Sequence, residues 1–439
     1  GSVIKTGSGT LTINKTSSMN GEWRLNAGKV VITSSRSGTN TPLGANKAGS
    51  TVYVNDGVEL VLSAQDVFTN AHEANPMQFV IDGGKVSNSG ANYNFIENTT
   101  FKDGAQLYAA DGNATWKAFK LHNVKVLRNE DGTAGAPVVF SADMSKANAT
   151  YAFGTISGNA ASTTSVLNVE DITSADSSVI DSVSDLVISG VIADPLTNRN
   201  GTTAAAPIEK TGAGTLKLTG AGTLGTSAVT LNENGTLELN VADGAEKSFT
   251  NKVTGTGTVA KTGAGTLKLN TANGFESTLN ISEGRADVFG TMAGKISVAD
   301  GAVFSPGDGI GTLTVNGLFS ADDGARLVFE IGEDTSDLIV LESEGTLDIS
   351  EDAILELLFT DADPDKVYTL IEAEGGLGEY ADAAFWTNLL TAAADTNWHL
   401  EVSGNMVNAV FGTDPAVPEP ATWVLLILGT FGLLYCRKK

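Results

Sequence analysis

Only three histidines occur in the 439-residue chain, His72, His122 and His399, and they sit in unrelated contexts. The lone cysteine is Cys436, so no His/Cys cluster has the spacing of a zinc site, and neither HExxH nor GxSxG is present. Zinc and serine-hydrolase chemistry therefore lack candidates. Gly220, Gly222 and Gly225 have the spacing of a dinucleotide loop, but 227–231 reads as a strand and not as the helix such a loop must open. Asp361, Asp363 and Asp365, with Glu372 eleven positions after the first, fall on the ligand positions of a calcium loop. The glycine that loop requires is Lys366, and the flanks 353–359 and 367–371 read as strands. A hairpin turn is the better reading there, with a weak calcium site as the alternative. Asp66, His72, Glu73 and Asp82 form the remaining group that could cluster, as the carboxylates of a β-helical polysaccharide lyase or hydrolase would.

The elements that would have to position these residues are legible as internal repeats. Residues 3–13 (VIKTGSGTLTI) recur at 208–218 (IEKTGAGTLKL) and at 259–269 (VAKTGAGTLKL). Each copy is an apolar strand, a Lys-Thr-Gly-x-Gly turn, and a second strand alternating in and out. The glycine pairs Gly7 and Gly9, Gly212 and Gly214, and Gly263 and Gly265 suit tight turns and close backbone approach. Some twelve to twenty residues after each copy comes a strand–turn–strand partner, at 23–32, 229–239 and 279–288. Units of this kind cannot close a core alone; stacking them buries a continuous interior and pairs their strands in parallel. The expected fold is all-β, a parallel β-helix over 1–300 followed by an acidic C-terminal β domain over 301–411 that closes it. Residues 40–200 keep the strand–turn texture with longer loops. At about 20–25 residues and about 4.8 Å per coil, some 400 residues predict a rod on the order of 80–95 Å long.

These repeats resemble the autotransporter-associated β-strand repeat of bacterial surface proteins. Residues 304–317, with Pro306-Gly307-Asp308-Gly309, are similar to the segment that closes such passengers, and Ser336-Asp337-Leu338-Ile339-Val340 to the strand after it. The resemblance implies a right-handed β-helical stalk displayed outside the cell. True autotransporters continue into a membrane β-barrel, and after Phe411 this sequence holds only a linker (412–420) and a tail (421–439).

In that tail, Val417, Pro418, Glu419 and Pro420 precede sixteen uncharged residues, from Ala421 and Trp423 through Leu428 to Tyr435 and Cys436, and Arg437, Lys438 and Lys439 end it. As a helix the apolar run spans about 24 Å, short of a hydrocarbon core of roughly 30 Å. Trp423 and Tyr435 suit the two interfaces, and the basic end favours the cytoplasmic side. Read from the residues, the tail is a transmembrane anchor. Its order of Pro-Glu-Pro, apolar helix and basic end is similar to the PEP-CTERM sorting signal of Gram-negative bacteria. That resemblance implies recognition by an exosortase, a membrane transpeptidase, with cleavage near 418–420. Cys436 is then a lipid-facing bystander. The first residues, Gly1 to Lys5, carry no signal peptide, so an export signal is expected upstream of residue 1.

Composition narrows the function further. The chain carries 50 glycines, 7% aromatics and a net charge of −24. Most of that charge lies in 301–420, where 24 acidic residues face only Arg326 and Lys366. With no basic stripe, nucleic-acid binding is excluded. No residues stand out as cofactor ligands, and none is expected. The sequence thus describes an exported, non-enzymatic surface protein, structural or adhesive, with a cell-envelope polysaccharide or other surface ligand as partner. The alternative is a β-helical carbohydrate-active enzyme.

Overall fold

The computed structural model describes residues 1–69, 76–154, 164–176, 181, 183–193, 205–232, 234–390 and 397–412. Its plan is visible in the first two coils. Strand Ser2–Lys5 is followed across a corner by Thr10–Ile13. The chain then returns, laying Glu22–Leu25 on the first strand and Gly28–Ile32 on the second, with Val3 opposite Trp23 and Leu11 opposite Val30. Repeated along the chain, this builds a ten-stranded parallel sheet (the first face) and a fourteen-stranded parallel sheet (the second face). A third face begins as three short strands, Asn94–Phe95, Phe119–Leu121 and Tyr151–Phe153, and lengthens from Glu246–Phe249 onward. Arg285–Met292 belongs to two faces. Its first half pairs with Thr266–Asn270, and its second half with Thr312–Val315. The architecture is a parallel β-helix.

Alternation along each strand drives the stacking, since every second side chain must point inward. On the second face Leu216, Leu237, Val259, Leu279, Ile296 and Phe319 stand one above the other in register. All six are buried, and each such side chain contributes about 1.5–3 kcal/mol. One apolar cluster runs from Leu25 to Ala409.

Three expectations change. Fourteen strands about 4.8 Å apart make a stack of roughly 62 Å, shorter than expected. The middle coils are long: the partner of Phe140 is Ile188, forty-eight positions on, against seventeen from Ile281 to Val298. At residue 300 the charge changes but the fold does not, because the second face passes in register from Ile296–Val298 to Leu318–Ala321. Lastly, 360–367 is not a hairpin. Ile354–Phe359 pairs with Arg326–Ile331 and Tyr368–Ala373 with Leu338–Leu341, so the segment is a corner between two faces.

The parallel stack ends at Tyr368–Ala373, which pairs antiparallel with Met406–Phe411, itself paired with Trp398–Ser403. Helix Ala383–Leu389, capped by the Asp382 carboxylate on the Ala384 N–H, lowers Trp386 and Leu389 onto the last coil. Trp386 is fully buried, and its indole N–H donates to the Tyr380 carbonyl at 2.8 Å. Among the described residues no helix is long and apolar enough to cross a membrane. The expected sorting tail, 421–439, and linker residues 413–420 lie outside them.

Candidate functional site

The Lys-Thr-Gly-x-Gly segments are corners between faces, and each lysine ties its corner down. Lys5 Nζ donates to the carbonyls of Gly7 and Ala27, both at 2.7 Å. Lys261 Nζ donates to Gly263 O at 2.6 Å and to Glu283 O at 2.7 Å. Lys210 Nζ reaches Gly212 O at 2.5 Å. Each ammonium thus satisfies carbonyls of its own corner, and in the first and third copies one from the coil above. Burial pushes the Lys261 ammonium down to about 8, against the pull of Glu283. The sequence reading credited these turns to glycine and missed the lysine. Its signal was parity, since Lys5, Lys210 and Lys261 share the inward phase of Val3, Ile208 and Val259.

The glycines allow the coils to touch. Gly263 has φ +74°, and a Cβ at Gly284 in the next coil would sit 2.4 Å from the Gly263 carbonyl oxygen. Gly212, Gly214 and Gly265 are equally crowded by the coil beneath, whereas Gly7 and Gly9 face open space.

Two buried aspartates act as staples between coils. Asp337 accepts the backbone N–H of Gly311 at 2.7 Å and of Glu330 at 2.8 Å, with Ser305 Oγ at 3.4 Å. This joins the Pro306–Gly311 loop to the strand that follows Asp337, two segments noted separately in the sequence. Burial pushes the Asp337 carboxyl up to about 7, opposed by the donated N–H bonds. Asp185 does the same, accepting Ile172 N–H and Thr215 N–H, each at 2.7 Å, and burial raises it too. Both precede similar strands, Ser184-Asp185-Leu186-Val187-Ile188 and Ser336-Asp337-Leu338-Ile339-Val340. The first of these passed unnoticed in the sequence.

Groups able to meet a ligand gather on the outside of the first face. One cleft, of about 550 Å³, is lined by Arg24, Tyr53, Asp82, Lys102, Asp103 and Glu130, among others. The Arg24 guanidinium lies 4.0 Å over the Tyr53 ring and pairs with Glu22 at 2.8 Å. Lys102 Nζ pairs with Glu130 at 3.1 Å. Burial raises the Asp82 carboxyl, helped by Asp103, Glu130 and Asp56 and opposed by Lys102. A second depression, of about 260 Å³, includes Gln78, Asn98, Thr100, Asn123, Lys125 and Asn168 in its lining. Here Asn123 Nδ2 donates to Asn98 Oδ1 at 2.9 Å. Just before these strands lies a buried ion pair, Lys120 Nζ to Glu97 Oε1 at 2.8 Å, which the sequence did not reveal. His122 Nδ1 is 3.3 Å from Ser165 Oγ, and burial lowers the imidazole. Ser165 is fully buried, so the pair is structural.

The carboxylates that could cluster have different surroundings. Asp66 accepts the Tyr93 hydroxyl at 3.3 Å, and burial together with that carboxylate pushes Tyr93 up to about 12. Asp82 belongs to the first-face cleft. His72 and Glu73 lie outside the described residues. Asp363 accepts the Asp365 N–H and pairs with Lys366 at 3.5 Å, while Asp361 has φ +60°. His399 Nε2 meets Glu401 at 3.1 Å. Among the described residues no three His, Cys, Asp or Glu side chains are grouped to hold a metal ion.

Comparison with known proteins fits the corners. No curated protein matches the chain. Among solved structures, the crystal structure of the Haemophilus influenzae Hap adhesin aligns with 94% of this chain at 12% identity and a TM-score of 0.28, a likeness too loose to place a residue or an activity. This chain covers 59% of that structure's length. Residues 3–32 and 259–285 match the passenger-associated-transport-repeat family, and both segments carry a Lys-Thr-Gly-x-Gly corner with its following coil.

Proposed function

We propose that this chain is the β-helical body of an exported, non-enzymatic surface protein, structural or adhesive, which the tail 417–439 sorts to the envelope. The observation that carries the reading is the passenger-type corner built into a parallel coil stack. In those corners the lysines are consumed by backbone carbonyls. The repeats provide a rigid spacer that needs no disulfide, because stacking supplies the stability. In the tail, Val417-Pro418-Glu419-Pro420, the apolar run with Trp423 and Tyr435, and Arg437-Lys438-Lys439 would be read by an exosortase and removed. The C-terminal membrane contact would then be transient.

Protease treatment of intact cells tests display: the full-length protein should lose its β-helical body while a cytoplasmic marker survives. Protection of the body in intact cells but not in lysates overturns the reading. Intact-mass measurement of envelope protein tests the sorting step, and a mass that retains 421–439 leaves a plain anchor.

A carbohydrate-active enzyme remains the second reading for one specific reason. The first-face cleft holds Asp82, raised above the usual carboxylate range, near Asp103 and Glu130. Paired carboxylates in a cleft are what glycoside hydrolysis uses. Release of reducing ends from polysaccharide by the purified chain would favour it.

A further inference from the structure

We infer that the outside of the first face, from Tyr53 to Asn168, is a binding groove for a neutral glycan chain lying along the helix axis. The inference deepens the proposed adhesive role and rests on it.

The two depressions on this face are one groove. Tyr53 and Val80, which line the first, are ladder partners, and Val80 is opposite Thr100. Thr100 is opposite Lys125, and Lys125 opposite Asn168; these three line the second. The five residues form one column across five coils, a floor of about 19 Å at about 4.8 Å per step. On one side stand the amides of Gln78, Asn98 and Asn123. On the other, Asn55, Asp82 and Lys102 follow one another in register.

This lining selects the ligand class. The sheet's backbone groups are spent in its ladders, so the face offers side chains only. Amide and hydroxyl side chains both donate and accept, which suits the hydroxyls of a sugar. Gln78, Asn98 and Asn123 present an amide on each of three successive coils, a spacing suited to successive units of a polymer. The apolar contribution is Val80, Val124, Val166 and a Tyr53 ring already covered by Arg24, too little for a hydrophobic protein interface. Of the charged groups lining the groove, Asp82, Asp103, Glu130 and Asp131 outnumber Arg24, Lys102 and Lys125. This lining disfavours nucleic acid and anionic polysaccharide.

The test uses the full chain in affinity electrophoresis through gels containing linear neutral glycans (cellulose derivatives, laminarin, xylan) or anionic ones (alginate, polygalacturonate). Retardation in at least one neutral gel is expected. Asn123→Ala should weaken it about tenfold, and Thr100→Trp, which fills the floor from an outward position, should abolish it. Ser297→Trp, an outward position on the second face, should leave it unchanged. Melting curves establish that each variant is folded; should Thr100→Trp not fold, Lys125→Ala with Gln78→Ala replaces it. Absence of retardation in every neutral gel overturns the inference. So does retardation confined to anionic gels, or equal loss in the first-face and second-face variants. Cell-surface proteolysis separates the two proposals, since a displayed protein that binds no glycan sinks this inference alone.

Discussion

Residues 208–218 and 259–269 differ at only two of eleven positions, yet they occupy different sides of the molecule. The earlier copy runs from the first face to the second: Ile208–Thr211 joins the ten-stranded sheet and Thr215–Leu218 the fourteen-stranded one. The later copy runs from the second face to the third, with Thr258–Thr262 on Thr236–Asn240 and Thr266–Asn270 on Glu246–Phe249. Between them the chain adds Glu246–Phe249 and Val253–Gly255, which advances the phase by one face. The motif therefore encodes a corner and not an address. Its lysine grips carbonyls in both settings, because the corner brings them within reach whichever faces it joins.

Substitutions can break this equivalence. The largest effect is expected from Gly284→Val, which places a β-branched residue at φ +65° with its Cβ 2.4 Å from the Gly263 carbonyl oxygen. A loss of about 4–5 kcal/mol is expected, against about 1–2 kcal/mol for Gly7→Ala, which meets only backbone strain. Urea denaturation reads both, and equal losses would mean that coil contact at the corner contributes nothing.

Asp337 comes next. Its carboxyl holds a proton more tightly folded, at about 7, than unfolded, at 3.8. This contribution to stability is therefore full below about pH 4 and is lost as pH rises to about 7, at most about 4 kcal/mol. Asp337→Asn should remove the slope in that window whatever it does to absolute stability, and Asp185→Asn should act in the same direction. Denaturation midpoints between pH 4 and 8 decide, and an unaltered slope in Asp337→Asn rejects the staple's titration.

Lys261→Met should cost about 2 kcal/mol by leaving carbonyls of Gly263 and Glu283 without their donor in a partly buried corner. Lys5→Met should cost less than about 1 kcal/mol, because its corner is open to water. Amide exchange at the two corners would show the difference, and similar protection losses would remove it.

Much of the coil plan is legible in the sequence, and particular residues show why the rest is not. The partner strands at 23–32, 229–239 and 279–288 do stack on their repeats, because a twenty-residue period with unbroken alternation leaves little choice of register. The corner at 360–367 reads as a hairpin because Asp, Pro and Lys turns look alike whether the next strand folds back or moves to another face. Asp185 escaped notice because its partners, Ile172 and Thr215, are brought to it by a loop and a neighbouring coil. The first-face groove was invisible for the same reason. Thr100, Lys125 and Asn168 carry no spacing that marks them as neighbours, with the steps between coils varying from seventeen to forty-eight residues.

By itself the sequence determined where the chain turns and which side chains face inward. Backbone preference at Gly7, Gly212 and Gly263 and the two-residue period of the strands are local properties, settled within a few bonds. The face each corner joins, the aspartate staples and the alignment of Tyr53, Val80, Thr100, Lys125 and Asn168 were decided only by the tertiary structure. Those depend on the summed length of every preceding coil and on register between strands far apart in the chain, which no local preference encodes.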